Sequence, residues 1–170
     1  MERYPLFFKF KDVVYGKGFL AQVVAIGRTL LVREEDEWWL YGVQPGGMAE
    51  RGKDQSLTLR HFRATYRNVL LDIASDSEDF ENFCKTADSF FKEIDEEDER
   101  EWNEARQKIK SGKMDVTEKA WPLAREKGNI ESTIEITLLE ADARFAIGDN
   151  DKQKLREGPI LADTDFARAA

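Results

Sequence analysis

The chain is almost without cysteine and histidine: it has one of each, Cys84 and His61, among 170 residues. A single cysteine excludes an intramolecular disulfide and any cysteine-built metal cluster. A lone histidine has no second imidazole to share a metal, and it needs an oriented partner before it can serve as a base. The spacing around His61 supplies none, so it reads as a surface residue of a helix. Long apolar runs are also missing, and no stretch approaches the length that spans a bilayer. The start Met1-Glu2-Arg3-Tyr4-Pro5-Leu6 has neither the basic opening nor the apolar stretch of a signal peptide, so a cytoplasmic location is expected. No glycine-rich phosphate loop is present. Gly16-Lys17-Gly18 and Gly46-Gly47 have the spacing of turns.

Basic residues are in deficit. Lys and Arg number 26 against 34 Asp and Glu, for a net charge of −8. Such a surface repels phosphate backbones and disfavours general nucleic-acid binding. A basic partner is the more natural expectation. The acids are concentrated. From Asp72 to Glu104 there are fourteen, against Lys85, Lys92 and Arg100, a local charge of −11. Runs such as Asp95-Glu96-Glu97-Asp98-Glu99 lack the alternating ligands and loop glycine of a calcium site. They also lack the two unlike carboxyl environments of acid–base catalysis. No metal, cofactor or catalytic residue is expected, and the chain reads as a non-enzyme.

Apolar material is ample, at 41% hydrophobic residues with eleven Phe and four Trp. Leu6 to Phe10, Phe19 to Ile26, Thr29 to Val32 and Trp38 to Val43 read as strands. They are separated by Tyr15-Gly16-Lys17-Gly18, by Ile26-Gly27-Arg28 and by the acidic Glu34-Glu35-Asp36-Glu37. Connections this short favour antiparallel hairpins. Asp54 or Ser56 can cap a helix carrying Leu59, Phe62, Tyr66, Val69, Leu70 and Ile73 on one face. A second helix starts near Asp76 or Ser77 and buries Phe80, Phe83, Cys84, Ala87, Phe90 and Phe91. Cys84 is therefore a small core residue rather than a nucleophile. Glu93 to Glu101 reads as a solvated hinge or helix start. Trp102, Ala105 and Ile109 suggest a third helix that ends at Ser111-Gly112. Thr117 to Lys127 and Ile130 to Ile147 are expected as two further helices, and the rest as a loose tail.

Two patterns bear on binding. Arg60, Arg63 and Arg67 share a helical face. Pairing with the nearby acid-rich segment is favoured there over a free basic strip. Trp38 and Trp39 are adjacent on a strand and so point to opposite faces. One belongs to the core, and the other is left exposed or covered by something else.

The order of strand, acidic turn, strand, Pro-Gly turn and capped helix in TLLVREEDEWWLYGVQPGGMAERGKDQSLTLRHF resembles the HicB-like antitoxin domain. Pro45-Gly46-Gly47 stands at the family's Pro-Gly-Cys turn, with Gly47 in place of the cysteine. Gly52-Lys53-Asp54 stands at its Gly-Asp-Thr helix start, and Leu57-Thr58 replaces the usual Glu-Ala pair. The resemblance implies a sheet-plus-helix fold like a partial ribonuclease H without nuclease residues. It also implies a homo-oligomer that neutralises a small basic RNA-cleaving toxin. Family members often carry a DNA-binding module, but Asp115 to Gly148 offers no basic recognition helix, which counts against promoter binding.

The expectation is an α+β protein with a small antiparallel sheet of three to four N-terminal strands packed on helices. Residues 1–93 form the HicB-like domain, 94–148 an acid-linked helical extension and 149–170 a tail. The expected function is stoichiometric binding through Glu34, Glu35, Asp36, Glu37, Trp38 or Trp39, and Glu96, Glu97 and Glu99. The alternative is a self-associating structural or adaptor module.

Overall fold

The computed structural model describes residues 2–114 and 130–141, together with the backbone of Phe166–Arg168. Its framework is one long hairpin. β1 (Glu2–Gly16) pairs antiparallel with β2 (Phe19–Glu34) along its full length, Glu2 opposite Arg33 and Gly16 opposite Phe19. The far edge of β2 is shared. β3 (Glu37–Gln44) takes its C-terminal half, and β5 (Thr133–Glu140) takes its N-terminal half. β4 (Ala49–Gly52) extends the sheet beyond β3, and β6 (Phe166–Arg168) pairs with Leu6–Phe8 of β1. The fold is α+β, as expected from the sequence.

Sheet and helix alternation divide the core in two. Tyr4, Leu6, Phe8, Phe10, Ala21, Val23, Ala25, Leu31 and Leu40 face one side. That side is covered by α1 (Gln55–Asp76) and α2 (Phe80–Lys92). Asp54 caps α1 by accepting from Leu57 N at 2.8 Å, and Asp79 caps α2 by accepting from Asn82 N at 2.8 Å. The two helices thus carry the apolar stripes read from the sequence, including Phe62, Tyr66, Phe83 and Phe91 in the buried core. On the other side Phe7, Leu30, Val32 and Val43 form a smaller patch closed by Trp102 of α3 (Glu96–Lys110). Among the described residues, no helix is long and apolar enough to cross a membrane.

The connection from α2 to α3 crosses from one face of the sheet to the other. It passes against the turn that follows β3. Gly46 N donates to Glu93 O at 2.8 Å and Asp95 N donates to Val43 O at 3.2 Å. A Cβ on Gly46 would stand 2.6 Å from Asp95 N, so only glycine lets the two backbones approach this closely. The segment Glu93 to Glu101, read as hinge or helix start, is thus a pinned crossing followed by the first turns of α3.

Three expectations are corrected. Ile26-Gly27-Arg28 is no turn, because β2 runs through it unbroken with an irregularity between Arg28 and Thr29. Gly27 is there for close packing, since a Cβ would fall 2.2 Å from the Phe8 ring and 2.4 Å from Gln44 O. The helix expected over Ile130 to Ile147 is overturned by β5. Ile134 and Ile136 alternate with polar Glu135 and Thr137 and lean on the core, a strand period that the flanking residues obscured. The third correction is the start of α2, which is capped by Asp79 rather than lying near Asp76 or Ser77, where α1 ends; the strand β4 was not singled out in the sequence. The helix expected at Thr117 to Lys127 lies outside the described residues. Of the expected tail, only the Phe166–Arg168 strand is described.

Candidate functional site

The tip of the β2–β3 hairpin carries the most concentrated exposed chemistry. Glu34 and Glu37 stand opposite one another at the last rung of the ladder, and Glu35 turns the chain at φ 52°. Like charges at facing positions repel unless something else draws on them. Each carboxylate has such a contact. Tyr41 Oη approaches Glu34 Oε1 at 3.5 Å, and Arg51 Nη1 lies 3.5 Å from Glu37 Oε2. Arg33, Glu34, Glu35, Asp36, Glu37 and Trp39 line an open depression of about 630 Å³.

The two tryptophans point apart, as alternation requires. Trp38 joins the α1/α2 side, its ring 6.2 Å from Tyr4 and under the Arg33 guanidinium at 5.6 Å. Trp39 lies on the other face, stacked on Tyr41 at 6.0 Å and 11° and covered by Arg51 at 5.6 Å. Both are half-buried. Trp39 is the one that opens onto the acidic tip.

The start of α3 adds a second group of acids on the Trp39 side. Asp95 caps the helix by accepting from Glu97 N and Asp98 N, both at 3.0 Å. Acids in this first turn also gain from the positive end of the helix dipole. Glu96 and Glu97 point to solvent. Glu99 is already committed to Arg28 at 2.8 Å, and Glu101 to Arg3 at 2.8 Å. Tyr41 is where the two groups meet. Burial first, then Glu34, Asp98 and Glu101, push its hydroxyl above the usual value. Asp98 is half-buried beside them. Burial first, then the carboxylates of Asp95, Glu101 and Glu97, push its carboxyl up to about 6, against a smaller opposing pull from Arg3.

Of the residues expected at the site, Glu34, Glu35, Asp36, Glu37 and Trp39 are brought together. Trp38 turns to the core, Glu96 and Glu97 stand at the solvent side of α3, and Glu99 is a structural ion pair. Tyr41, Arg51 and Asp98 were not foreseen. Tyr41 was open to the same alternation that paired it with Trp39, two residues away. Asp98 lay within the acidic Glu93 to Glu101 segment, but nothing in the sequence set it apart from its neighbours.

The other candidates resolve into packing. Arg63 is buried and donates to Lys9 O and Lys11 O at 3.4 and 3.5 Å, with its guanidinium 5.4 Å above Phe10. Arg67 pairs with Asp12 at 3.2 Å. The acid that holds this helix face is on β1 rather than in the segment after α1. His61 is exposed, and its Nδ1 donates to Arg51 O at 2.9 Å. Cys84 is half-buried against the core, and burial followed by Glu81 pushes its thiol up, away from the reactive thiolate. Among the described residues, no three His, Cys, Asp or Glu side chains are placed to hold a metal.

No family model matches the chain, and comparison with curated proteins and with solved structures returns no match.

Proposed function

We propose that this chain is a non-catalytic, HicB-like binding protein that takes a small basic protein in fixed ratio at the tip of the β2–β3 hairpin. The partner is of the RNA-cleaving toxin kind that the sequence resemblance implies. One observation carries the reading: Glu34, Glu35, Asp36 and Glu37 converge with the exposed side of Trp39 on one open depression. An acidic rim speeds encounter with a basic surface and selects against acidic ones. A half-buried tryptophan supplies the apolar and cation-receiving contact typical of binding hot spots. The exposed acids at the start of α3, Glu96 and Glu97, add to the negative charge of the Trp39 side.

The test is native mass spectrometry of the tagged chain drawn gently from its own cells at low salt, repeated with the double variant Glu35→Lys/Asp36→Lys. Both positions are exposed and form neither of the tip's two contacts, so the fold should be unaffected. The expected result is a small basic protein in fixed ratio, held about tenfold or more weaker by the variant and with a shallower salt dependence. A partner bound equally by both chains at every salt concentration, or one that is itself acidic, defeats the proposal.

A further inference from the structure

We infer that the outer edge of β5 is an interface between two copies of this chain, which pair Thr133–Glu140 antiparallel about a twofold axis at Ile136. This inference is independent of the basic partner.

An unpaired strand edge offers a row of N–H and C=O groups to any strand that can reach it, and proteins normally blunt such edges with charge, proline or short length. The sheet has three edges to compare. β4 is four residues long and carries Glu50 and Arg51. The part of β1 beyond β6 carries Lys9, Lys11 and Asp12. β5 hydrogen-bonds to β2 on one side, and among the described residues no strand lies on its other side. It is eight residues long, has no Lys, Arg or Pro, and carries two acids, Glu135 and Glu140. Among the described residues, two of the four exposed large apolar side chains are on it, Leu138 at 40% and Leu139 at 49%.

The strand is complementary to itself in the register centred on Ile136. Its side chains alternate from Thr133 to Leu138, with Ile134, Ile136 and Leu138 on the side of the main core and Thr133, Glu135 and Thr137 on the other, before the ladder becomes irregular at Leu139. A twofold axis at Ile136 sets Ile136 against its own copy and Ile134 against Leu138 twice. On the opposite side Glu135 meets Thr137 twice. No glutamate faces a glutamate. Centring on Glu135 would oppose two carboxylates directly, and centring on Thr137 would set Ile134 against Glu140. Directly opposed pairs are what stabilise or penalise a ladder. For two chains of net charge −8 each, a seam with staggered acids is the one that can close. The apolar row of each copy then continues the core-facing side of the other.

The experiment uses the full chain. Light scattering after gel filtration, over a dilution series at moderate salt, should show a dimer. The double variant Leu138→Lys/Leu139→Lys should weaken it by at least about tenfold, since lysine is the usual guard of a free edge. Both leucines are substantially exposed, so the monomer's unfolding curve should be unchanged. In a Cys84→Ser background, Ile136→Cys should form a disulfide dimer on mild oxidation, because that position faces itself. A monomer at every concentration overturns the inference. So does a dimer that survives the lysine pair, or an Ile136→Cys chain that stays uncross-linked while dimeric. A monomer whose β5 amides resist hydrogen exchange would mean that the chain's own residues take the edge instead, and would also overturn it.

Discussion

Helix α3 is held to the sheet by a single large residue, and Trp102→Ala should release it. Trp102 and Ala105 are the buried side chains of this helix. The indole meets Phe7 edge-on at 5.4 Å, and its Nε1 donates to Leu6 O at 3.3 Å. Arg28 and Arg106 lie over the ring at 5.5 and 5.4 Å. A buried aromatic of this size hides about 150–250 Å². At about 25 cal/mol per Å² that is about 4–6 kcal/mol, an upper bound because the unfolded chain also hides some of it. The hydrogen bond adds about 1 kcal/mol. Against this, a surface helix can lift off rather than leave a void, so the loss cannot exceed what docks α3. The expected destabilisation is about 3–4 kcal/mol, within the usual range for truncating a buried tryptophan. Urea unfolding followed by circular dichroism measures it. Hydrogen exchange should show α3 amides losing protection while those of α1 keep theirs. A cost below about 1 kcal/mol, or α3 protected as in the parent chain, refutes the anchoring argument.

Three further outcomes follow from single sites. The Asp98 carboxyl is raised to about 6, so the folded state holds its proton more tightly than the unfolded state does. Its charge therefore costs stability, which falls as pH rises from about 4 to about 6 and stays lower above. Screened for its partial exposure, that cost is about 1 kcal/mol. Asp98→Asn should gain about that much over the parent at pH 7.5, with the gain shrinking towards pH 4; an equal gain at both pH values would refute the assignment. Gly46→Ala forces a Cβ against the backbone of Ile94 and Asp95. It should cost about 1–3 kcal/mol in urea melts and perturb α3 amide shifts more than those of α2, and a neutral variant would show that the crossing has slack. Tyr66 is fully buried and its hydroxyl has no partner among the described residues. Tyr66→Phe should therefore be neutral or stabilising by up to about 1 kcal/mol, and a clear loss of stability would reveal a bond to that oxygen.

The helix faces were legible because their determinants are local. Leu59, Phe62, Tyr66 and Leu70 repeat at the helix period, and Asp54 supplies a cap within three residues of the amide it satisfies. The opposite facing of Trp38 and Trp39 needed only strand alternation. Gly27 was misread because a glycine in a turn and a glycine under a neighbouring ring leave the same letter in the sequence. What separates them is Phe8, nineteen residues earlier, and that contact exists only once the hairpin closes. β5 was misread for a related reason. Its apolar residues are few, and its assignment rests on pairing with β2, more than a hundred residues away.

The acids at Glu34 to Glu37 were visible as a charged turn between two strands, and their exposure follows from the hairpin alone. Their companions were not visible. Sequence determined the first two helix faces, the cap of α1, the opposite facing of Trp38 and Trp39 and the excess of negative charge, all of which depend on composition or on neighbours a few positions apart. Tertiary structure decided which acids remain free. Glu99 and Glu101 are spent on Arg28 and Arg3, while Asp98 is half-buried near Tyr41 among the carboxylates of its own helix turn. Those outcomes depend on α3 crossing to the second face of the sheet, a path set by the contact of Gly46 with Glu93 and Asp95 across a separation of nearly fifty residues. Charge interactions fall off with distance in space, and only the folded chain sets that distance.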